Sequence, residues 1–254
     1  ANDASIILIA APGAVGKTTF AKQVCALTGA IRVDLSRTGA IGDHFLSGGL
    51  HKVRAYDAIR SGDVGIIIDG LDEALLKTST EGLADFLSDL VHVASDAKKP
   101  IVLAGRVRSI NEAWLILNEY GVSPPVIQIQ FFDETRSEIL AHSTLNRLLA
   151  KAGAKRQITT ADKNAISLLL QKLRVATSSS DSHFAGYAPV IEAIAKQVAA
   201  YSNPQELVGR LQRDETIDLR RVVTDILERE KGKVEQLPLS DPNLRGQLYS
   251  PTEQ

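Results

Sequence analysis

The first half of the chain alternates short apolar runs with amphipathic stretches. Residues 5–10, 30–35, 64–69, 100–104 and 126–130 read as strands, the last introduced by the double proline Pro124-Pro125. Between them, residues 17–28, a stretch near 50–61, most of 73–97 and 109–121 carry the helical period. The strands are continuous apolar runs without polar alternation. Such runs suit parallel strands covered on both faces, so the pattern predicts an α/β domain built on a parallel sheet.

After Phe132 the strands stop. Asp133-Glu134-Thr135 reads as a helix start, and 136–152 places Ile139, Leu140, Leu145, Leu148 and Leu149 at helical spacing. Further helices are expected over 160–173, 188–201, 204–213 and 217–231, with an exposed polar break at 177–182. The tail from Leu237 has no period, and no internal repeat is present. The expectation is an α/β domain over 1–133 and an all-helical domain with an irregular tail over 134–254.

Composition narrows the class. With 254 residues, 44% hydrophobic and 23% charged, the chain can build one large core or two small ones. A formal net charge of −1 removes any global pull toward nucleic acid or an anionic membrane. The single cysteine, Cys25, excludes an internal disulfide and fits a reducing cytoplasm. No apolar window reaches the ~18 residues of a membrane span, and no basic-then-apolar leader opens the chain. The absence of methionine and the abrupt end at Pro251-Thr252-Glu253-Gln254 lead us to expect a piece of a longer chain.

The main chemical signal is Ala11-Pro12-Gly13-Ala14-Val15-Gly16-Lys17-Thr18, set between an expected strand and an expected helix. It matches the phosphate-loop pattern G-x-x-x-x-G-K-[ST] except that Ala11 replaces the first glycine. Such a loop wraps a polyphosphate with backbone N–H groups and a helix N-terminus. Gly16 permits close approach, Lys17 places a point charge on the β and γ phosphates, and the Thr18 hydroxyl ligates Mg²⁺. We expect phosphates against residues 11–19, Thr19 included. A lysine in a first helical turn opposes the helix dipole unless an anion sits there.

A second signal is Ile66-Ile67-Ile68-Asp69-Gly70-Leu71-Asp72-Glu73. A carboxylate at the carboxyl end of a strand lies where open α/β sheets bind ligands. Asp69 is expected to hold Mg²⁺ through water, and either Asp72 or Glu73 to orient or deprotonate the attacking water. Gly70 keeps space beside Asp69.

The run D-G-L-D-E resembles the NACHT group of STAND-type NTPases, signalling ATPases related to the AAA+ class. Ile101-Val102-Leu103-Ala104-Gly105-Arg106 is similar to that family's apolar strand ending in an arginine. The resemblance implies that Arg106, or Arg108, is the sensor reaching the γ-phosphate. Residues 127–134 resemble the family's last strand and its aromatic-acidic entry to a helical lid. Gly186-Tyr187-Ala188-Pro189 resembles the feature with which that lid touches the adenine end, making Pro189 a nucleotide contact. The implied sheet order is 5-1-4-3-2, with ATP (or ADP; GTP an alternative) and Mg²⁺ as cofactors. A signalling or defence parent with flanking effector and sensor domains, and self-oligomerisation through the NTPase domain, are implied as well. The chain departs from the family at Ala11 and lacks a recognisable winged helix.

Other residues are assigned bland roles. The five histidines show no metal-ligand spacing, and His183 is expected to be solvated. Cys25 and Trp114 are expected in the core, and Arg220-Arg221 with 228–231 on a solvated helical face. The leading function is a slow ATP-hydrolysing switch. A small-molecule phosphotransferase using Asp34 and Arg37, or a non-hydrolysing nucleotide scaffold, are the alternatives.

Overall fold

The computed structural model describes residues 5–151, 157–177 and 183–213. The chain divides into two compact units, Ala1–Gln130 and Phe131–Gln254. Among the described residues no helix is long and apolar enough to cross a membrane.

The first unit is a five-stranded, wholly parallel sheet: β1 (Ile6–Ala11), β2 (Ile31–Asp34), β3 (Ile66–Asp69), β4 (Ile101–Arg106) and β5 (Val126–Gln128). The spatial order β2-β3-β4-β1-β5 is the expected one, and with the phosphate loop after β1 it is the fold of a P-loop NTPase. Six helices accompany it: α1 (Lys17–Thr28), α2 (Phe45–Lys52), α3 (Tyr56–Ser61), α4 (Leu71–Leu75), α5 (Thr80–Asp96) and α6 (Val107–Glu119). On one sheet face Ile6, Leu8, Ile66, Ile68, Ile101 and Leu103 pack with Phe86, Leu87 and Leu90 of α5 and Ile110 of α6. Strand side chains alternate, so the intervening positions face the other side.

Several boundaries differ from the sequence expectation, each for a local reason. The stretch read as one helix near 50–61 is two, α2 and α3, because Arg54 between them takes a left-handed φ of 57°. The stretch read over 73–97 is also two helices; Ser79 starts α5 anew by accepting from Gly82 N–H at 3.1 Å. β4 runs two residues beyond its expected end, to Arg106, because pairing with β1 continues to Ala11↔Arg106. Burial on both faces fails at the sheet edges: β2 is half-buried, and Val126 and Ile127 of β5 are 44% and 54% exposed. Trp114 is not a core residue. α6 turns Ile110, Ala113 and Leu117 inward, and Trp114, one residue after Ala113, is rotated away and 37% exposed. Cys25 is half-buried rather than buried.

A buried carboxylate organises the packing around α2. Asp89 of α5 accepts from the N–H groups of Leu46 and Ser47 at 2.7 and 3.0 Å. These are donors that the start of a helix leaves without a backbone partner.

The second unit is all-helical in its described residues: α7 (Glu134–Lys151), α8 (Thr160–Thr177), α9 (Ala188–Ala199) and α10 (Pro204–Gln212). Asp133 caps α7 by accepting from Arg136 N–H at 2.8 Å. Ala141, Leu145, Ile166, Leu170, Val190 and Ile194 lie in its core. Within it Phe132 N–H donates to Gly186 O at 3.0 Å, and a Cβ on Gly186 would collide with the Phe132 carbonyl. His183 is exposed, yet its ring stacks on Phe131 with centroids 5.2 Å apart. The helix expected over 217–231, the Arg220-Arg221 face and the tail lie outside the described residues, as does most of the polar break at 177–182.

Candidate functional site

The phosphate loop joins β1 to α1. Ala11 is still in β1, fully buried and paired with Arg106. It is absent from the positive-φ residues, so the position where the pattern has glycine makes no left-handed demand here. The unusual backbone lies further on, at Ala14 (φ 52°) and at Gly16 (φ 100°), which immediately precedes α1. A left-handed alanine is uncommon and costs about 1 kcal/mol or more. Val15 is buried and anchors the loop; Pro12, Gly13, Ala14, Gly16 and Lys17 are half-buried, and Thr18 and Thr19 are exposed. The start of α1 has no side-chain cap and no acid in its first turn.

Asp69 closes β3 and is nearly fully buried. Gly70 follows with a φ of 88°, and a Cβ there would lie 3.0 Å from Ser36 N. Both the dihedral and the space call for glycine. The turn throws Asp72 and Glu73 into the first turn of α4.

These two acids have different surroundings. Asp72 accepts from Arg106 twice, from its backbone N–H at 3.2 Å and from Nε at 2.7 Å. The guanidinium carbon of Arg106 would lie 3.8 Å from a Cβ on Gly13, so Arg106 stands against the phosphate loop. Arg108 is exposed in the first turn of α6. Glu73 instead has a buried Oε2 with no hydrogen-bond partner. Burial, and after it the Asp72 carboxylate, push the Glu73 carboxyl above its ordinary pKa. Its own backbone N–H, Lys17 and Arg106 pull it the other way, which places Glu73 within the field of the phosphate-loop lysine and of Arg106.

Sequence reasoning missed Arg32. The register Asp34↔Asp69 on neighbouring strands puts Arg32, Asp34 and Asp69 on one sheet face. Arg32 donates from Nη2 to Asp34 Oδ2 at 2.9 Å and from Nη1 to Asp69 Oδ2 at 3.2 Å. α1 covers this face: burial raises the Cys25 thiol, Arg32 opposes and Asp69 adds to the rise. The advance signal was a pair of charged residues, Arg32 and Asp34, at alternate positions of β2. Asp34 also accepts from Ser36 Oγ at 2.6 Å and has Arg37 Nε at 3.6 Å. Burial raises its pKa, but the hydrogen bond from Ser36 and the charge of Arg32 outweigh it, leaving Asp34 below its ordinary value. Asp34, named above for the phosphotransferase alternative, is thus engaged by Arg32, Ser36 and Arg37.

Pro189 belongs to the helical unit, buried in the first turn of α9. The remaining expected residues, from Ala11 to Arg106, all lie in the first unit around the carboxyl ends of β1, β3 and β4.

No family model and no curated protein matches the chain. Among solved structures, the FIGL-1 AAA domain crystallised in complex with ADP superposes with a TM-score of 0.45 at 17% identity, covering 96% of this chain and 76% of that one. At that score the likeness assigns nothing to this chain.

Proposed function

We propose that the chain binds ATP with Mg²⁺ at the phosphate loop and hydrolyses it slowly to ADP, as a nucleotide-dependent switch. The carrying observation is Glu73: a buried carboxylate oxygen with no hydrogen-bond partner, raised in pKa and within the field of Lys17. An unsatisfied buried acceptor costs about 1–3 kcal/mol, and such groups concentrate where a proton is to be taken up.

The residues fit the group. An uncapped α1 start bearing Lys17 suits a polyphosphate, and the orphaned Glu73 oxygen suits a water. Thr18 and Asp69 would hold Mg²⁺, which when bound supplies positive charge to the phosphate oxygens. Lys17 neutralises the terminal phosphates. Glu73 orients the attacking water and takes its proton on a carboxylate oxygen as the new P–O bond forms and the bond to the β-phosphate oxygen breaks. Asp72 holds Arg106 beside the loop, where its guanidinium can meet the charge of the γ-phosphate.

The resemblance of D-G-L-D-E and of the strand ending in Arg106 supports the finer reading: the switch domain of a cytoplasmic NACHT-type STAND protein of signalling or defence. In that reading Pro189 is a nucleotide contact, as the resemblance implies. Nucleotide state then governs self-oligomerisation and the output of flanking effector and sensor domains.

The test compares wild type with Lys17→Ala in thermal-shift and turnover assays, with Mg-ATP and Mg-ADP and no other substrate. A rise in melting temperature that Lys17→Ala abolishes, with slow turnover, supports the switch. Turnover that appears only with a small-molecule acceptor overturns it in favour of a phosphotransferase. No shift of wild type by any nucleotide removes the nucleotide site altogether.

A further inference from the structure

We infer that Arg32 competes with Mg²⁺ for Asp69, with Asp34 as the second seat that receives the guanidinium when the metal takes Asp69. This rests on the reading of Asp69 as a metal ligand, and it adds a residue that tunes metal affinity.

The geometry is specific. Arg32 and Asp34 are two apart on β2, so they share a face, and Asp34 registers with Asp69 across the strand pair. Two carboxylates facing each other across paired strands repel. Arg32 relieves this by donating one guanidinium nitrogen to each, at 2.9 Å to Asp34 and 3.2 Å to Asp69. The planar fork of arginine is suited to that double contact.

The two seats are unequal. Asp69 has a side chain 3% exposed and its pairing with Arg32 is the longer one; Asp34 is 21% exposed and its pairing is the shorter. Asp34 is also steadied without Arg32, by Ser36 Oγ at 2.6 Å and by Arg37. Arg32 therefore has a fixed carboxylate to stay on if Asp69 is taken. A metal approaching Asp69 meets a like charge already hydrogen-bonded to its carboxylate, so metal binding is an exchange rather than a simple addition. The alternative is that Arg32 only neutralises a buried acid. In that case removing it lowers stability and leaves metal affinity unchanged or weaker.

The experiment uses the full chain loaded with ADP and titrated with Mn²⁺, free metal being read by electron paramagnetic resonance. Arg32→Gln is expected to bind Mn²⁺ about tenfold more tightly than wild type. Asp34→Asn, which confines Arg32 to Asp69, is expected to bind it several-fold more weakly. ADP affinity in EDTA is expected to stay within about twofold in both. Unchanged or weaker Mn²⁺ binding in Arg32→Gln overturns the inference. Should that variant fail to fold, Arg32→Lys decides: its ammonium is on a shorter stem and lacks the planar fork that spans both carboxylates, so Mn²⁺ binding tightens by a smaller factor if Arg32 competes, and unchanged affinity overturns the idea. Failure of wild type to bind ADP at all strikes the proposed function instead.

Discussion

Arg106, the last residue of β4, donates both its backbone N–H and its Nε–H to Asp72 in the first turn of α4, at 3.2 and 2.7 Å. Both carboxylate oxygens of Asp72 are thereby occupied, and Arg106 is held against the phosphate loop although its side chain is 56% exposed. The adjacent Glu73 keeps an unpartnered oxygen. Neighbouring acids thus differ: Asp72 is paired with an arginine, and Glu73 keeps the oxygen to which the proposed mechanism gives a water.

Asp72→Ala releases Arg106 to solvent, where its rotamer freedom returns. Turnover is expected to fall about 10- to 100-fold while ATP affinity changes less than about threefold. Arg106→Ala should do the same, and the double variant should be no worse than the poorer single one, because the two act as a unit. Turnover and equilibrium ATP binding on the four proteins check this; additive losses would show that Asp72 acts independently of Arg106.

Glu73→Gln should lower turnover by about 10² or more with ATP binding retained. Because burial and Asp72 raise the Glu73 pKa, wild-type turnover should climb with pH through that raised value. The sign for stability is opposite. A carboxyl raised in the folded state is least costly when protonated in both states, so stability falls as pH climbs from the ordinary carboxylate value through the raised one. Glu73→Gln lacks this loss. Melting curves from about pH 4 upward should show wild type losing stability relative to the variant as pH rises.

Asp89→Ala leaves the N–H groups of Leu46 and Ser47 without their buried acceptor. The first unit is expected to lose about 1–3 kcal/mol, read from urea unfolding. Asp89→Asn, which keeps an acceptor oxygen, should lose less.

Gly186→Ala drives a methyl group into the Phe132 carbonyl and disturbs the hydrogen bond of Phe132 N–H to Gly186 O. The helical unit should lose about 1–3 kcal/mol, with faster amide hydrogen exchange at Phe132 and along the start of α9. Unaltered exchange there would mean the two segments separate at no cost.

Much of the fold was legible because its signals are local. The three central strands, β1, β3 and β4, are runs mostly of Ile, Val, Leu and Ala, and their lack of alternation announces a parallel sheet, whereas the edge strand β2 alternates as Ile31-Arg32-Val33-Asp34. Gly16-Lys17-Thr18 and Asp69-Gly70 state dihedral and charge requirements within a few residues. Other features were out of reach for equally physical reasons. The left-handed Arg54 that separates α2 from α3 follows from packing, since nothing about an arginine demands that conformation. Trp114 looked like a core residue by composition, but its angular place on α6 points it outward.

The class of fold, the glycine-lysine-threonine loop and the acidic run Asp69, Asp72, Glu73 could be read along the chain, because each depends on neighbouring residues. Which of those acids is paired, what Arg106 faces and how Arg32 shares its charge between Asp34 and Asp69 emerge only in the folded chain. Those outcomes depend on strand register and on burial, and Arg32 and Asp69 stand 37 residues apart. Pairing between β2 and β3 brings them to one face, and burial among the strand ends makes the contact matter.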